Sequence, residues 1–124
     1  MSRAETEEEK VPGISVGIGE RIYLVPFERI DAIQETPVVI PVPDSSKEVI
    51  GITVYEGQTV AYLRLDEERT LSSAVKCGIL LKYGDGRRIG MAVDEIGDMC
   101  EISRQELKEQ AEGLKYQIWR EILG

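Results

Sequence analysis

Asp94, Glu95 and Asp98 form the one carboxylate cluster in this chain placed to do acid/base work. Such a group could divide the roles of proton donor and acceptor if its surroundings pushed the members' pKa values apart. Nothing in the sequence complements it. The chain contains no histidine, which removes Ser-His-Asp and Cys-His nucleophilic sites, imidazole general bases and most catalytic zinc sites. Cys77 and Cys100 are the only thiols. Two cysteines cannot close a four-ligand structural zinc site, and they read as reduced core residues. The Gly17-x-Gly19 pair lacks the Lys-Ser and third glycine of a phosphate loop and reads as a turn. Asp94 and Glu95 follow an aliphatic run, where carboxylates commonly shape a turn. The residue types predict no enzyme, no cofactor and no metal site. A small-ligand-sensing or hydrolytic β-barrel is the alternative that the carboxylates would serve.

Charge points the same way. A net charge of −8 and a pI near 4.6 exclude a nucleic-acid partner, whose phosphates demand clustered lysine and arginine. No apolar run approaches the roughly 20 residues that span a bilayer, so direct membrane insertion is not expected. Residues 1–10 are charged and have no apolar centre, unlike a secretory signal. A soluble cytoplasmic protein is predicted. At 124 residues the chain is long enough to bury a core without staples.

The elements that must position these residues are mostly strands. Residues 1–13 carry Glu5, Glu7, Glu8 and Glu9 before Pro12-Gly13 and predict a disordered acidic tail. Alternating residues 14–18 and 21–25 flank Gly19 and predict a hairpin. Phe27, Ile30 and Ile33 follow Pro26 at helical spacing and predict a brief helical turn, with a turn into a strand as the alternative. Three prolines in residues 36–43 predict an edge strand or extended connector, and Asp44 to Lys47 a loop. Val49–Tyr55 and residues 58–65 are rich in Val, Ile, Thr and Tyr and meet at Glu56-Gly57, a hairpin with a tight turn. A third hairpin joins residues 76–83 to Arg87–Val93 through Gly84-Asp-Gly86, and another strand runs to Ile102. About eight short strands at close spacing signal a barrel or sandwich. Behind Ser103-x-x-Glu106, a capping-box pattern, Leu107, Ala111, Leu114, Ile118 and Ile122 predict an amphipathic C-terminal helix over residues 103–124, with Gly113 as a site for a kink.

The order of these motifs resembles the CheW-like coupling domain of bacterial chemotaxis. The resemblance rests on residues 18–33, on Ile40-Pro-Val-Pro43, on Val49-Ile-Gly-Ile-Thr53 and on residues 80–96 with the Gly90-x-x-Val-Asp94 signature. It implies an all-β fold of two small five-stranded β-barrels sharing a core over residues 14–102. It also implies a non-catalytic adaptor that couples a CheA-type histidine kinase to the cytoplasmic tip of chemoreceptors. Carried over by position, Ile30, Ile33, Gly51, Val54, Tyr55, Glu56 and Gly57 fall where members of the family contact partners.

Departures from the family concentrate at the second hairpin. Val54-Tyr-Glu-Gly57 stands where Asn-Leu-Arg-Gly is usual, and Ala61-Tyr-Leu-Arg-Leu65 where Pro-x-x-Asp-Leu is usual. Glu56 and Arg64 thus reverse two charges, consistent with a pair kept at inverted sign but presenting a different potential to partners. Family members also continue beyond the position of Ile102 through closing strands, whereas residues 103–124 are patterned as a helix. Either residues 115–119 form a strand or one barrel is incomplete, with an open edge that invites self-association. A divergent member serving a non-standard partner, or a homodimer closed by the C-terminal helix, is the corresponding alternative.

Overall fold

The structure, a computed structural model, describes residues 9–42, 49–65, 75–114 and 116–123. The predicted acidic tail up to residue 8 and the Asp44–Lys47 loop lie outside the described residues. Eight strands are found among them: β1 (Lys10–Ile18), β2 (Arg21–Pro26), β3 (Ile30–Glu35), β4 (Val49–Tyr55), β5 (Gln58–Leu63), β6 (Cys77–Tyr83), β7 (Arg87–Val93) and β8 (Glu95–Ser103). Two helices follow, α1 (Arg104–Glu112) and α2 (Gln117–Leu123). The strands form a three-stranded sheet in the order β2-β1-β8 and a five-stranded sheet in the order β3-β6-β7-β5-β4. The chain is mainly β with C-terminal helices, as expected; one sheet has the five strands that the resemblance implies, whereas the other has three among the described residues.

All three hairpins form where alternation and turn glycines placed them. The β4–β5 hairpin closes on the Tyr55↔Gln58 pair. Its two turn residues, Glu56 (φ 52) and Gly57 (φ 79), are both left-handed, the geometry whose twist matches the flanking strands. Phe27–Arg29 is a single 3-10 turn, and Ile30 already belongs to β3, so the predicted helical turn ends before Ile30. Beyond Glu35 the proline-rich segment is a connector that touches the sheet at one bridge, Ile40↔Ile52.

The predicted tail is too long. β1 begins at Lys10 and pairs with β8 from Lys10↔Ser103 onward. Pro12 is tolerated inside this strand because β2 starts pairing only at Gly13, so the missing N–H of Pro12 deprives no neighbour. The single C-terminal helix is also corrected. α1 and α2 are separated by residues 113–116, with Gly113 as the C-cap of α1. Residues 117–119 are helical, which removes the strand alternative there. The capping box is present in full: Glu106 N–H donates to Ser103 Oγ, and Ser103 N–H donates to Glu106 Oε1.

One core is shared by both sheets and α2. Ile14, Val16, Ile18 and Val25 meet Ile79, Leu81, Met91 and Val93, with Trp119, Ile122 and Leu123 filling the space between. Trp119 is fully buried and its indole N–H has no acceptor. A second cluster, Val60, Tyr62, Val75, Leu80 and Ala92, lies on the opposite face of the five-stranded sheet. On the far face of the three-stranded sheet, Val11 and Ile102 pack under Leu107 of α1.

Candidate functional site

Arg88 ties the β4–β5 tip to β3. Its Nε lies 2.6 Å from Asp31 Oδ2 and one NH2 lies 3.2 Å from Glu56 Oε1. Its NH1 donates to Gln58 Oε1 at 3.0 Å, and the guanidinium sits 5.3 Å from the centroid of the Tyr55 ring. Planar, multidentate donors of this kind satisfy several acceptors at once. Asp31 reaches Arg88 because it occupies an irregularity between Ile30 and Ala32 in the β3–β6 register, and such bulges re-aim side chains. The tip is thereby held against the sheet by a partly buried charge cluster. Glu56 accepts the strain of a left-handed backbone, uncommon for such a residue, and gains Arg88.

Beneath the cluster, Tyr62 crosses β7 and β6. A methyl group on Gly90 would stand 2.7 Å from the ring, and one on Gly78 would collide with the phenol oxygen. The ring needs both glycines. Its hydroxyl donates to Gln34 Oε1 on β3 at 2.6 Å, so one side chain spans from β5 to β3. Burial pushes its phenol up from 10.0 to about 12.

An aliphatic strip flanks the tip. Ile40 and Ile52 exchange backbone hydrogen bonds at 2.7 and 2.9 Å. Val39 turns inward against the second core cluster, leaving its neighbours Val38 (76% exposed) and Ile40 (58%) outside beside Val54 (67%). Large apolar side chains are left outside in this way, and contiguous apolar patches mark interaction sites in other proteins. Gly51 is buried under this connector: a methyl there would meet Ile40 O and Val39.

Of the residues singled out by sequence, Val54, Tyr55, Glu56 and Gly57 share the tip, and Gly51 seats the neighbouring strip. Ile33 is exposed on β3, whereas Ile30 is half-buried against the shared core. Arg88, Asp31, Val38 and Ile40 were not foreseen. The cation pair Arg87-Arg88 at the start of β7 was the available signal for Arg88. The two reversed charges do not meet: Glu56 pairs with Arg88, while Arg64 approaches Asp94 at 4.0 Å.

Of the carboxylates considered for chemistry, Asp94 serves the fold through its side chain and Asp98 through its backbone amide. Asp94 Oδ2 accepts from Gly19 N–H at 2.7 Å, clamping the β1–β2 turn. Glu95 packs beside Gly17, and the Asp98 amide donates to Ser15 Oγ at 3.1 Å.

Together, the two sheets, their shared core and the exposed hairpin tip define a β-rich module. The sequence matches the CheW-like domain model over residues 12–121, and the chain belongs to that family, a family of non-catalytic scaffolds in chemotaxis signalling. The fold is similar to the crystal structure of the scaffolding protein TtCheW from Thermoanaerobacter tengcongensis. That similarity has a TM-score of 0.66 at 15% identity and covers 78% of this chain and 68% of that one. No curated protein sequence matches the chain. Among the described residues no helix is long and apolar enough to cross a membrane.

Proposed function

We infer that this protein is a cytoplasmic, non-catalytic adaptor that couples a CheA-type histidine kinase to the tips of chemoreceptors, docking through the β4–β5 tip. The observation that carries this reading is the exposed strip Val38, Ile40 and Val54 beside the Glu56–Arg88 cluster, on a chain of the CheW-like family. Val54, Tyr55, Glu56 and Gly57 make the contact, Ile33 extends it, and Ile30 and Gly51 hold its shape from below. Apolar side chains supply the affinity, and the charges at the rim set register and partner choice.

Binding of the purified chain to a kinase regulatory domain and to a receptor-tip fragment tests this. Val54→Asp is expected to weaken binding by about tenfold or more, as a charge in an apolar contact does, with an unchanged unfolding midpoint. No binding to either protein at tens of micromolar overturns the reading.

The acidic tip supports a second version, in which the partner is not the standard one. Glu56 faces solvent where the family carries arginine, so a partner that presents a cation there is preferred. Glu56→Arg would place two guanidinium groups together and release Arg88. Gain of binding to a kinase regulatory domain that the parent chain binds poorly is the expected result for this version. A homodimer closed by the helices has less support, because no large apolar side chain of α1 or α2 is exposed among the described residues.

A further inference from the structure

The two edges of the three-stranded sheet differ. On the β2 edge, the Gln110 side chain from α1 accepts from Leu24 N–H at 2.8 Å and donates to Leu24 O at 2.9 Å. This amide does for Leu24 what a neighbouring strand would do, and blocks strand addition there. On the β8 edge, no strand among the described residues pairs with its outer side.

The direction of the free groups follows from the ladder. Arg104 N–H donates to Glu9 O, and the register runs Lys10↔Ser103, Val11↔Ile102, Pro12↔Glu101, Gly13↔Cys100, Ile14↔Met99. Alternation in an antiparallel pair makes Ile102 and Cys100 the residues bonded to β1 and turns the N–H and C=O of Met99 and Glu101 outward. The outward N–H of Ser103, next in that series, is already taken by Glu106. Met99 is 77% exposed, the highest value among the large apolar residues described. Glu95, Asp98 and Glu101 are exposed along the same strand, which carries no cation.

We propose that the outer edge of β8 receives an extended basic segment of a partner protein as an added strand. Met99 and Glu101 supply the main-chain ladder. An apolar residue of the segment covers Met99, and lysine or arginine two positions along lies against Glu101 on the same face. A second copy of this chain is the poorer occupant. It would bring three carboxylates against three, between molecules of net charge −8, and like charges across strands destabilise. The inference does not depend on the tip's partner, since β8 belongs to the other sheet.

The test uses the full chain and a short synthetic peptide of repeating Lys-Lys-Val-Val, with Glu-Glu-Val-Val as its counterpart. The basic peptide is expected to bind, to weaken as salt rises, and to slow amide exchange at Met99 and Glu101. Glu101→Pro removes one ladder donor at an edge position that tolerates proline, and should weaken binding by about tenfold, main-chain bonds being the source of affinity in this mode. Glu101→Gln keeps the donor and should cost only a few-fold, with a shallower salt dependence. If Glu101→Pro does not fold, Met99→Ser removes the apolar contact without adding charge and should weaken binding several-fold. Binding without protection at Met99 and Glu101, equal binding of the acidic peptide, or protection that rises with protein concentration in the absence of peptide each overturns the proposal.

Discussion

The five-stranded sheet fills the face turned away from the shared core largely with side chains of its own strands, whereas the three-stranded sheet relies on helices for cover. In the first, Tyr62 lies across Gly78 and Gly90 and meets Val60, Leu80 and Ala92. In the second, α1 sets Leu107 over Val11 and Ile102, while α2 sends Trp119 into the core shared by both sheets. Strand number explains the difference: three strands offer too little surface to bury a face without help from another layer. The surfaces left over differ in kind. β4 and the connector bridged to it leave side chains outside, namely Val54 on the strand and Val38 and Ile40 on the connector. The open β8 edge leaves main-chain groups. The two sheets thus leave two kinds of surface uncovered, side chains on one and main-chain groups on the other.

The sharpest way to break this contrast is at Trp119, the largest fully buried side chain. Trp119→Ala should cost about 3–5 kcal/mol, as large-to-small changes in cores do, and loosen both sheets. Denaturant unfolding followed by a probe in each sheet checks it: transitions that separate would show that the sheets do not depend on one core.

Gly78→Ala tests the Tyr62 face of the five-stranded sheet alone. Overpacking against Tyr62 should cost about 1–3 kcal/mol. Tyr62→Phe removes the atom that the new methyl would strike first, so the double variant should be more stable than the sum of the single losses predicts. Strict additivity would place the strain elsewhere.

The same ring gives a pH signature. The Tyr62 phenol titrates from 10.0 in the unfolded chain to about 12 in the folded one, so unfolded molecules release the proton first. The contribution is whole below pH 10 and is lost as pH rises towards about 12. Titration by tyrosinate absorbance should show one phenol ionising late. Stability of the Tyr62→Phe variant should fall less steeply across that alkaline range.

Smaller effects belong to the helical side and the tip. Ser103→Ala removes one half of the capping box and should cost about 1 kcal/mol, read as a shift of the unfolding midpoint with α1 helicity reduced. Glu56→Gln is expected to change stability by no more than ~1 kcal/mol, since Glu56 is largely exposed, yet to alter partner affinity. A variant that unfolds the hairpin would show the ion pair to be structural instead.

Much of the strand pattern was legible in the residues. Alternation and turn glycines located the three hairpins, and the Ser103-x-x-Glu106 spacing located the start of α1. Pro12 misled because proline forbids only the hydrogen bond on its own N–H side, and which side has a neighbour is a matter of sheet order. The helical stripe was real but ran through a break, because apolar spacing survives a turn when both helices face one core. At the candidate site, the Glu56-Gly57 turn was visible, whereas Arg88 and Asp31 lie far along the chain from Glu56 and are brought to it by strand order.

Sequence alone determined what kinds of local structure form and which chemistry is missing: turn geometry at Gly57, the α1 cap, and the lack of any imidazole. Gly90 could be seen as part of a motif, but only tertiary structure showed that a tyrosine from a parallel strand needs the space of its absent side chain. The same holds for the partners of Glu56, for the connector seated on Gly51, and for the contrast between a β2 edge closed by Gln110 and an open β8 edge. Local preferences act over a few residues, whereas packing and edge pairing depend on which distant segments become neighbours.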